Sequence, residues 1–171
     1  MSTRYLTIFL FLLLIVIVVF GCEKSRRSED TVINGPKYQG DEEIIKAIES
    51  AFGLEDALWK NEERIKTRYD VMEIFRQGFS EKMAEKITDY LWMGEPGDSG
   101  KETGMLRAAD PILFLPDYLE VKSKTGDTAV ALLKYDANPE GPVTWDAYTT
   151  KVTLKIENGV WKIYDMESSN H

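Results

Sequence analysis

The sequence is poor in the residues from which many catalytic and metal sites are built. Its 171 residues contain one cysteine and one histidine. A single thiol, Cys22, cannot form a disulfide within the chain, so no internal cross-link is expected to stabilise the fold. His171 is the last residue, and a frayed chain end is a poor place for a general base. Histidine-based triads, activated thiols and histidine metal sites are therefore not expected, and neither a metal nor a cofactor is predicted.

Positive charge is also scarce, with 21 basic residues against 29 acidic ones and a formal net charge of −8. Removal of residues 1–21, which contain Arg4, leaves 20 basic residues against 29 acidic ones, a net charge of −9. Such a surface repels phosphate backbones, so nucleic acid is not expected as a partner. It also repels anionic lipid head groups, which argues against attachment through a polybasic surface.

Aromatic residues are plentiful, with four Trp, eight Tyr and seven Phe. This composition excludes disorder of the whole chain and can supply a hydrophobic core. The roughly 150 residues after position 21 suit one domain with a tether.

The first 21 residues have the pattern of a secretory signal peptide. Arg4 provides a short basic start, and Tyr5–Phe20 is an uncharged, almost wholly apolar stretch. Its length does not separate a signal peptide from a short membrane-spanning helix. Lys24, Arg26 and Arg27 follow the stretch, which disfavours a retained span with its N-terminus inside. A cleaved signal peptide is thus favoured, and an uncleaved anchor is the alternative.

The segment Val19-Phe20-Gly21-Cys22 resembles the lipobox of bacterial lipoproteins, although Phe20 replaces the small residue that is usual there. The resemblance implies that Val19, Phe20 and Gly21 are recognised by the lipoprotein signal peptidase and that Cys22 is lipidated. Two acyl chains hold a protein firmly to a bilayer, whereas one binds reversibly. The expected location is the extracytoplasmic face of a cell membrane or outer membrane.

Residues 22–40 are polar, contain Gly35-Pro36 and predict a flexible tether. Residues 41–168 are predicted to form the domain. Asp41 opens a helical pattern that Gly53 is expected to end or kink, and a second helical pattern runs from Leu54 to Gln77. Ser80 is the expected N-cap of a third helix.

Residues 94–104 predict a mobile loop. Their glycines suggest a phosphate-binding loop, but the spacing requires a glycine where Glu95 stands and a Ser or Thr where Glu102 stands. The acidic residues of this loop also lack the spacing of a calcium loop.

After Asp110-Pro111 the pattern changes to the alternation of β-strands. Strands are predicted at about 118–123, 128–136, 143–157 and 160–167. Asn158-Gly159 favours a two-residue hairpin turn, in which Leu154 would face Ile163 and Val152 would face Asp165. Helices followed by an antiparallel sheet indicate an α+β fold.

This order of elements resembles the NTF2-like (cystatin-like) superfamily, in which N-terminal helices pack on a curved antiparallel sheet. The segment from Lys151 to Met166, with its Glu157-Asn158-Gly159-Val160-Trp161 centre, is similar to hairpins that end such domains in lipoproteins. The resemblance implies the fold; function is not carried over with it.

Some NTF2-like enzymes use a carboxylate and a tyrosine in a cavity between sheet and helices. The candidates for such a cavity are Asp110, Asp165, Tyr135, Tyr148 and Tyr164, although no spacing singles out a pair. Plain structural roles for these residues are favoured, and no catalytic residue is assigned.

Trp145 and Tyr148 are the candidates for ligand-facing residues, because Trp145 lies near a strand start where exposure is most expected. Packing in the core is the favoured alternative for the four tryptophans. The sequence therefore predicts a lipid-anchored, non-catalytic envelope protein that binds a partner protein or a small ligand. The alternatives are an enzyme with a carboxylate–tyrosine cavity and a regulator such as an inhibitor or immunity protein.

Overall fold

The computed structural model describes residues 37–95, 103–107, 111–140 and 143–170. In these residues, three α-helices accompany a curved, mostly antiparallel sheet, and the predicted α+β class is confirmed. The elements are, in chain order, β1 (Lys37–Gln39), α1 (Glu42–Lys60), a 3-10 helix (Glu62–Arg64), α2 (Arg68–Phe75), α3 (Glu81–Leu91), β2 (Trp92–Glu95), β3 (Thr103–Leu106), β4 (Tyr118–Thr125), β5 (Thr128–Tyr135), β6 (Tyr148–Glu157) and β7 (Val160–Asn170).

Helix α1 is longer than the sequence pattern predicted. The Asp41 side chain caps its start by accepting the Glu43 N–H at 3.0 Å. The helix continues through Gly53 to Lys60, so the expected end or kink at Gly53 is wrong. Glycine in a helix costs about 1 kcal/mol relative to alanine. Burial of Phe52 and Leu58 on either side of it offsets that cost.

The second predicted helix, from Leu54 to Gln77, is not one helix, because residues 54–60 belong to α1 and α2 covers Arg68–Phe75. The chain leaves the helical path at Asn61 and passes through the 3-10 helix before α2 starts after Thr67. Thr67 and Asp70 form a capping box, in which each side chain accepts an N–H from the other residue's backbone. Ser80 is the N-cap of α3, as predicted, and accepts the Met83 N–H at 3.4 Å.

The main sheet has the order β1-β4-β5-β6-β7. β1 is parallel to β4, whereas the other neighbours are antiparallel. Lys37–Gln39 lies within the stretch interpreted as tether, so the sheet takes up three of those residues. β2 and β3 form a separate two-stranded sheet. This sheet includes residues 94–95 and 103–104, so the assignment of these four residues to a loop is wrong.

The β6–β7 hairpin has the predicted turn but only part of the predicted register. Asn158 and Gly159 adopt positive φ angles of 54° and 79°, and Leu154 faces Ile163. Beyond that pair a bulge shifts the register, so Val152 faces Met166 and the predicted Val152–Asp165 pair is wrong. An extra residue of this kind bends a strand and increases its twist, which favours a curved sheet.

One hydrophobic core lies between the helices and the sheet. Phe75 and Phe79 meet edge to face with their ring centroids 6.1 Å apart. The largest fully buried side chains are Phe75, Phe79, Ile44, Ile48, Leu58, Leu91, Leu119, Leu133, Leu154, Ile163, Val71 and Val152.

The predicted leader, its recognition residues Val19, Phe20 and Gly21, and Cys22 lie outside the described residues. Among the described residues, no helix combines the length and the apolar character needed to cross a membrane.

Candidate functional site

The sheet has two ends with different surroundings. We call the first the loop end; it consists of residues 111–118 with Tyr135, Trp145 and Tyr148. We call the other the hairpin end; it consists of the turns at 126–127 and 158–159. Strand register places Tyr118 beside Lys134 and Thr125 beside Thr128, so each long strand runs from one end to the other. About seven residues of strand separate the two ends by roughly 20 Å.

At the loop end, the predicted ligand-facing residues pack against their own domain. Trp145 is half-buried, lies 5.0 Å from the Phe114 ring centroid, and donates its indole N–H to the Asp136 carbonyl oxygen at 2.9 Å. Tyr148 stacks on Tyr135 with a centroid distance of 4.4 Å. The structure thus brings Trp145 and Tyr148 to the same end of the sheet, where aromatic contacts hold both.

A buried carboxylate fixes the backbone of the loop end. Glu55 of α1 is 3% exposed. Its carboxylate accepts the Ile112 N–H at 3.0 and 3.1 Å and the Leu113 N–H at 2.8 Å. These charge-assisted bonds hold residues 112–113, which belong to no helix or strand. Glu55 was not predicted as a site residue, because it occupies an ordinary place in an acidic helix and its partners are backbone groups 57 and 58 positions away.

The tyrosines of the loop end act as neutral groups. Burial raises the pKa of the Tyr135 phenol, and the neighbouring Tyr148 adds to that effect. The Tyr135 hydroxyl donates to the Phe114 carbonyl oxygen at 3.0 Å. Burial also raises the pKa of Tyr148 and of Tyr38. Among the described residues, the Tyr38 hydroxyl oxygen is buried without a hydrogen-bond partner. These phenols are therefore poor bases at neutral pH.

The residues considered for a carboxylate–tyrosine cavity do not come together. Asp165 is exposed on β7, and Tyr164 lies beside the hairpin end with the Lys155 ammonium 4.6 Å from its ring centroid. Tyr135 and Tyr148 lie at the loop end. Asp110 lies outside the described residues.

The hairpin end borders an open groove of about 440 Å³, which we call the hairpin groove. It lies between α1, the segment after α2, and the β6–β7 turn. Its lining combines apolar carbon with a few polar groups, a composition common in binding sites. The lining residues are Glu43, Lys46, Ala47, Ser50, Ala51, Leu54, Gln77, Gly78, Gly159, Val160 and Trp161.

Close packing of Gly78 against α1 shapes one wall of this groove. A Cβ on Gly78 would lie 2.7 Å from both Cα and Cβ of Ala51, so only glycine fits without a shift. The Gly78 carbonyl oxygen accepts the Ile163 N–H at 2.9 Å, and Ser80 donates its N–H to the Ile163 carbonyl oxygen at 2.9 Å. These bonds join the segment after α2 to β7.

A charged cluster fixes the start of α1 at the same end. The Lys124 ammonium lies 3.1 Å from an Asp41 carboxylate oxygen and 2.7 Å from one of Glu43. It also lies 5.4 Å from the Trp161 ring centroid. The hydrogen bond from Lys124 is the main reason why the pKa of Asp41 is lowered. Glu43 therefore already has a cationic partner at the rim of the groove.

A second groove, of about 470 Å³, lies between the 3-10 helix and β3. Its lining is more polar, and Met105 at its edge is 65% exposed and faces the exposed Met93 across the β2–β3 pair.

No group of three or more His, Cys, Asp or Glu side chains in the described part of the chain could hold a metal ion.

No family model, curated protein or solved structure matched this chain.

The hairpin groove was not predicted from the sequence, although two of its features carried a signal. Asn158-Gly159 marked the turn beside it, and Val160 stands as an apolar residue directly after that turn. The pairing of this turn with α1 depends on contacts between distant segments, which sequence periodicity does not report.

Proposed function

We propose that this chain is a lipid-anchored, non-catalytic envelope protein that binds an apolar segment of a partner protein in the hairpin groove. The observation that carries the proposal is the composition of that groove. Ala47, Leu54 and Val160 supply apolar surface, whereas Lys46 and Gln77 supply polar groups beside it. Such a combination suits a peptide segment that presents apolar side chains and backbone hydrogen-bonding groups.

The position of the groove also supports this proposal. The chain enters the sheet at Lys37, whose N–H donates to the Asp117 carbonyl oxygen at the loop end. The hairpin groove lies at the opposite end of the strands. An anchor that precedes Lys37 would therefore attach at the end of the sheet opposite the groove and would not itself occupy the groove.

Binding is favoured over catalysis because Tyr135, Asp117 and Glu55 use their polar groups in structural contacts at the loop end. The Tyr135 hydroxyl donates to Phe114, and an Asp117 carboxylate oxygen accepts the Asp136 N–H at 2.8 Å. The Glu55 carboxylate accepts two backbone N–H groups. An acid–base catalyst needs a group that is free to exchange a proton with a substrate.

The proposed fold assignment is an NTF2-like domain. The order of helices followed by a curved sheet supports it, as does the closing β6–β7 hairpin. The proposed anchor is the acylated Cys22, and the proposed location is extracytoplasmic. These assignments rest on the resemblances of the sequence.

The anchor is tested by labelling cells with a fatty-acid analogue. We expect the wild-type chain to incorporate the label and a Cys22→Ser variant to lose it. Equal labelling of the two chains, or an intact Met1 terminus with an unmodified Cys22 in mass spectra, would contradict the anchor.

The groove is tested by crosslinking the full chain in its own membranes and identifying the captured protein by mass spectrometry. Ser50 is an exposed groove residue, so Ser50→Trp is expected to fill the groove and abolish capture. Asp56→Trp places the same side chain at an exposed position of α1 outside the groove and should leave capture unchanged. Capture that is equal in both variants, or absent from the wild type, would refute the groove as the binding site.

A further inference from the structure

The loop end exposes apolar side chains on a backbone that is firmly held. Residues 111–116 read Pro-Ile-Leu-Phe-Leu-Pro. Leu115 is 56% exposed, and the neighbouring Phe114 and Trp145 are each half-buried. The bonds to Glu55 and from Tyr135 fix the backbone on the inner side of this segment. Its outward side chains therefore form a fixed apolar edge.

This apolar edge lies where the chain enters the sheet. The Lys37 N–H donates to the Asp117 carbonyl oxygen at 2.8 Å, and Lys37 pairs with Tyr118. Fourteen residues, 23–36, separate Lys37 from Cys22. Even when fully extended, a stretch of that length spans at most about 50 Å. An anchor at Cys22 would therefore keep the loop end within reach of the bilayer.

We propose that the loop end docks on the surface of the bilayer that anchors the chain, with Leu115, Phe114 and Trp145 at the boundary between head groups and acyl chains. The inference rests on the anchor proposed above. Tryptophan favours this boundary because its ring is apolar and its N–H is polar.

The charges around the apolar edge define the lipid that it contacts. Asp117, Asp136 and Asp146 are exposed near Phe114 and Trp145, and Lys37 and Lys134 are exposed cations at the same end. Anionic head groups would be repelled by this surface. The docking surface therefore suits zwitterionic phospholipid head groups.

Attachment through the anchor allows this small apolar surface to dock on the bilayer. One exposed leucine and two partly exposed rings remove little apolar area from water, so a free domain would bind vesicles weakly. Attachment of the chain to the same bilayer converts docking into an intramolecular step with an effective concentration in the millimolar range.

The test uses the full chain, purified from its membranes and reconstituted into phosphatidylcholine vesicles with or without bromine on the acyl chains. All four tryptophans, Trp59, Trp92, Trp145 and Trp161, lie in the described domain. Bromine quenches tryptophan that lies at the membrane. We expect a loss of emission in brominated vesicles, absent from Trp145→Phe and reduced in Leu115→Ser. Adding anionic lipid to the vesicles should reduce the loss.

The matched control is Val160→Ser, which removes an apolar side chain of similar exposure (51%) at the hairpin end. It should leave the quenching unchanged. A chain that floats with the vesicles but shows no quenching would overturn the docking alone, whereas a chain that fails to float would contradict the anchor and the docking together. If Leu115→Ser alters sedimentation but not quenching, the edge is a contact between copies and the docking is wrong.

Discussion

The loop end and the hairpin end border the same sheet, yet different interactions hold their backbones. At the hairpin end, the Asn158-Gly159 turn adopts positive φ angles that this dipeptide favours, and neighbouring residues pair with each other. At the loop end, residues 112 and 113 are held by Glu55, which lies more than fifty positions earlier in the chain. A turn can therefore be fixed by local interactions, whereas this irregular segment depends on a distant side chain.

The largest expected effect is at Glu55, on which the loop end depends. Glu55→Leu leaves two backbone N–H groups without their acceptor and should lower the free energy of unfolding by about 2–3 kcal/mol, measured by urea denaturation. Glu55→Gln keeps one carbonyl acceptor and should lose about half as much. A loss below about 0.5 kcal/mol in Glu55→Leu would show that the loop end has other supports.

The next effect tests whether the hairpin end depends on distant packing as well as on its local turn. Gly78→Ala would force its Cβ to 2.7 Å from Ala51, and overpacking of this kind should cost about 2 kcal/mol. Gly53→Ala is the matched control, because its Cβ would meet nothing within 4 Å. The control should raise the free energy of unfolding by about 0.5–1 kcal/mol. If Gly78→Ala and Gly53→Ala changed the free energy of unfolding in the same direction, close packing of Gly78 against Ala51 would not be what shapes the groove wall.

The smallest effect concerns the exposed charges at the start of α1. The hydrogen bond from Lys124 lowers the pKa of Asp41, so its contribution to stability is present above the ordinary carboxyl value of about 3.9 and is lost as pH falls through the lower folded-state value. The difference in Tm between wild type and Lys124→Met should be constant near neutral pH and should shrink in acid. The exposed Lys86→Met serves as the control and should show no such trend. If the difference in Tm did not depend on pH, the contribution of Lys124 to stability would come from its contact with Trp161.

Helices and strands that are marked by caps, turns or periodicity were predicted from the sequence, whereas their ends and pairing were predicted less accurately. Ser80 was recognised as an N-cap because serine favours this position before an apolar helical pattern. In the structure its side chain accepts the Met83 N–H. Gly53 was wrongly predicted to end or kink the helix. The helix-breaking preference of one glycine is weak compared with the stabilisation from burial of Phe52 and Leu58. The bulge between Thr153 and Leu154 left no trace in the alternating pattern, which explains the wrong partner for Val152.

Sequence reasoning named two residues of the loop end as candidate ligand contacts. Trp145 and Tyr148 were expected to face a ligand, and the structure places them in aromatic contacts at the loop end. The hairpin groove and Glu55 were not foreseen. Both arise from contacts between segments that are far apart in sequence, and a pattern of neighbouring residues contains no measure of such distances.

The sequence by itself determined the α+β class, the cap at Ser80 and the Asn158-Gly159 turn, because each depends on periodicity or on bonds between near neighbours. It also provides the whole basis for the proposed leader and for Cys22 as the anchor. Only the tertiary structure decided which residues enclose a groove, where Glu55 finds its partners, and that Lys37–Gln39 joins the sheet. The physical reason is that these features require backbone and side chains from separate elements to meet, and that meeting is set by packing of the common core.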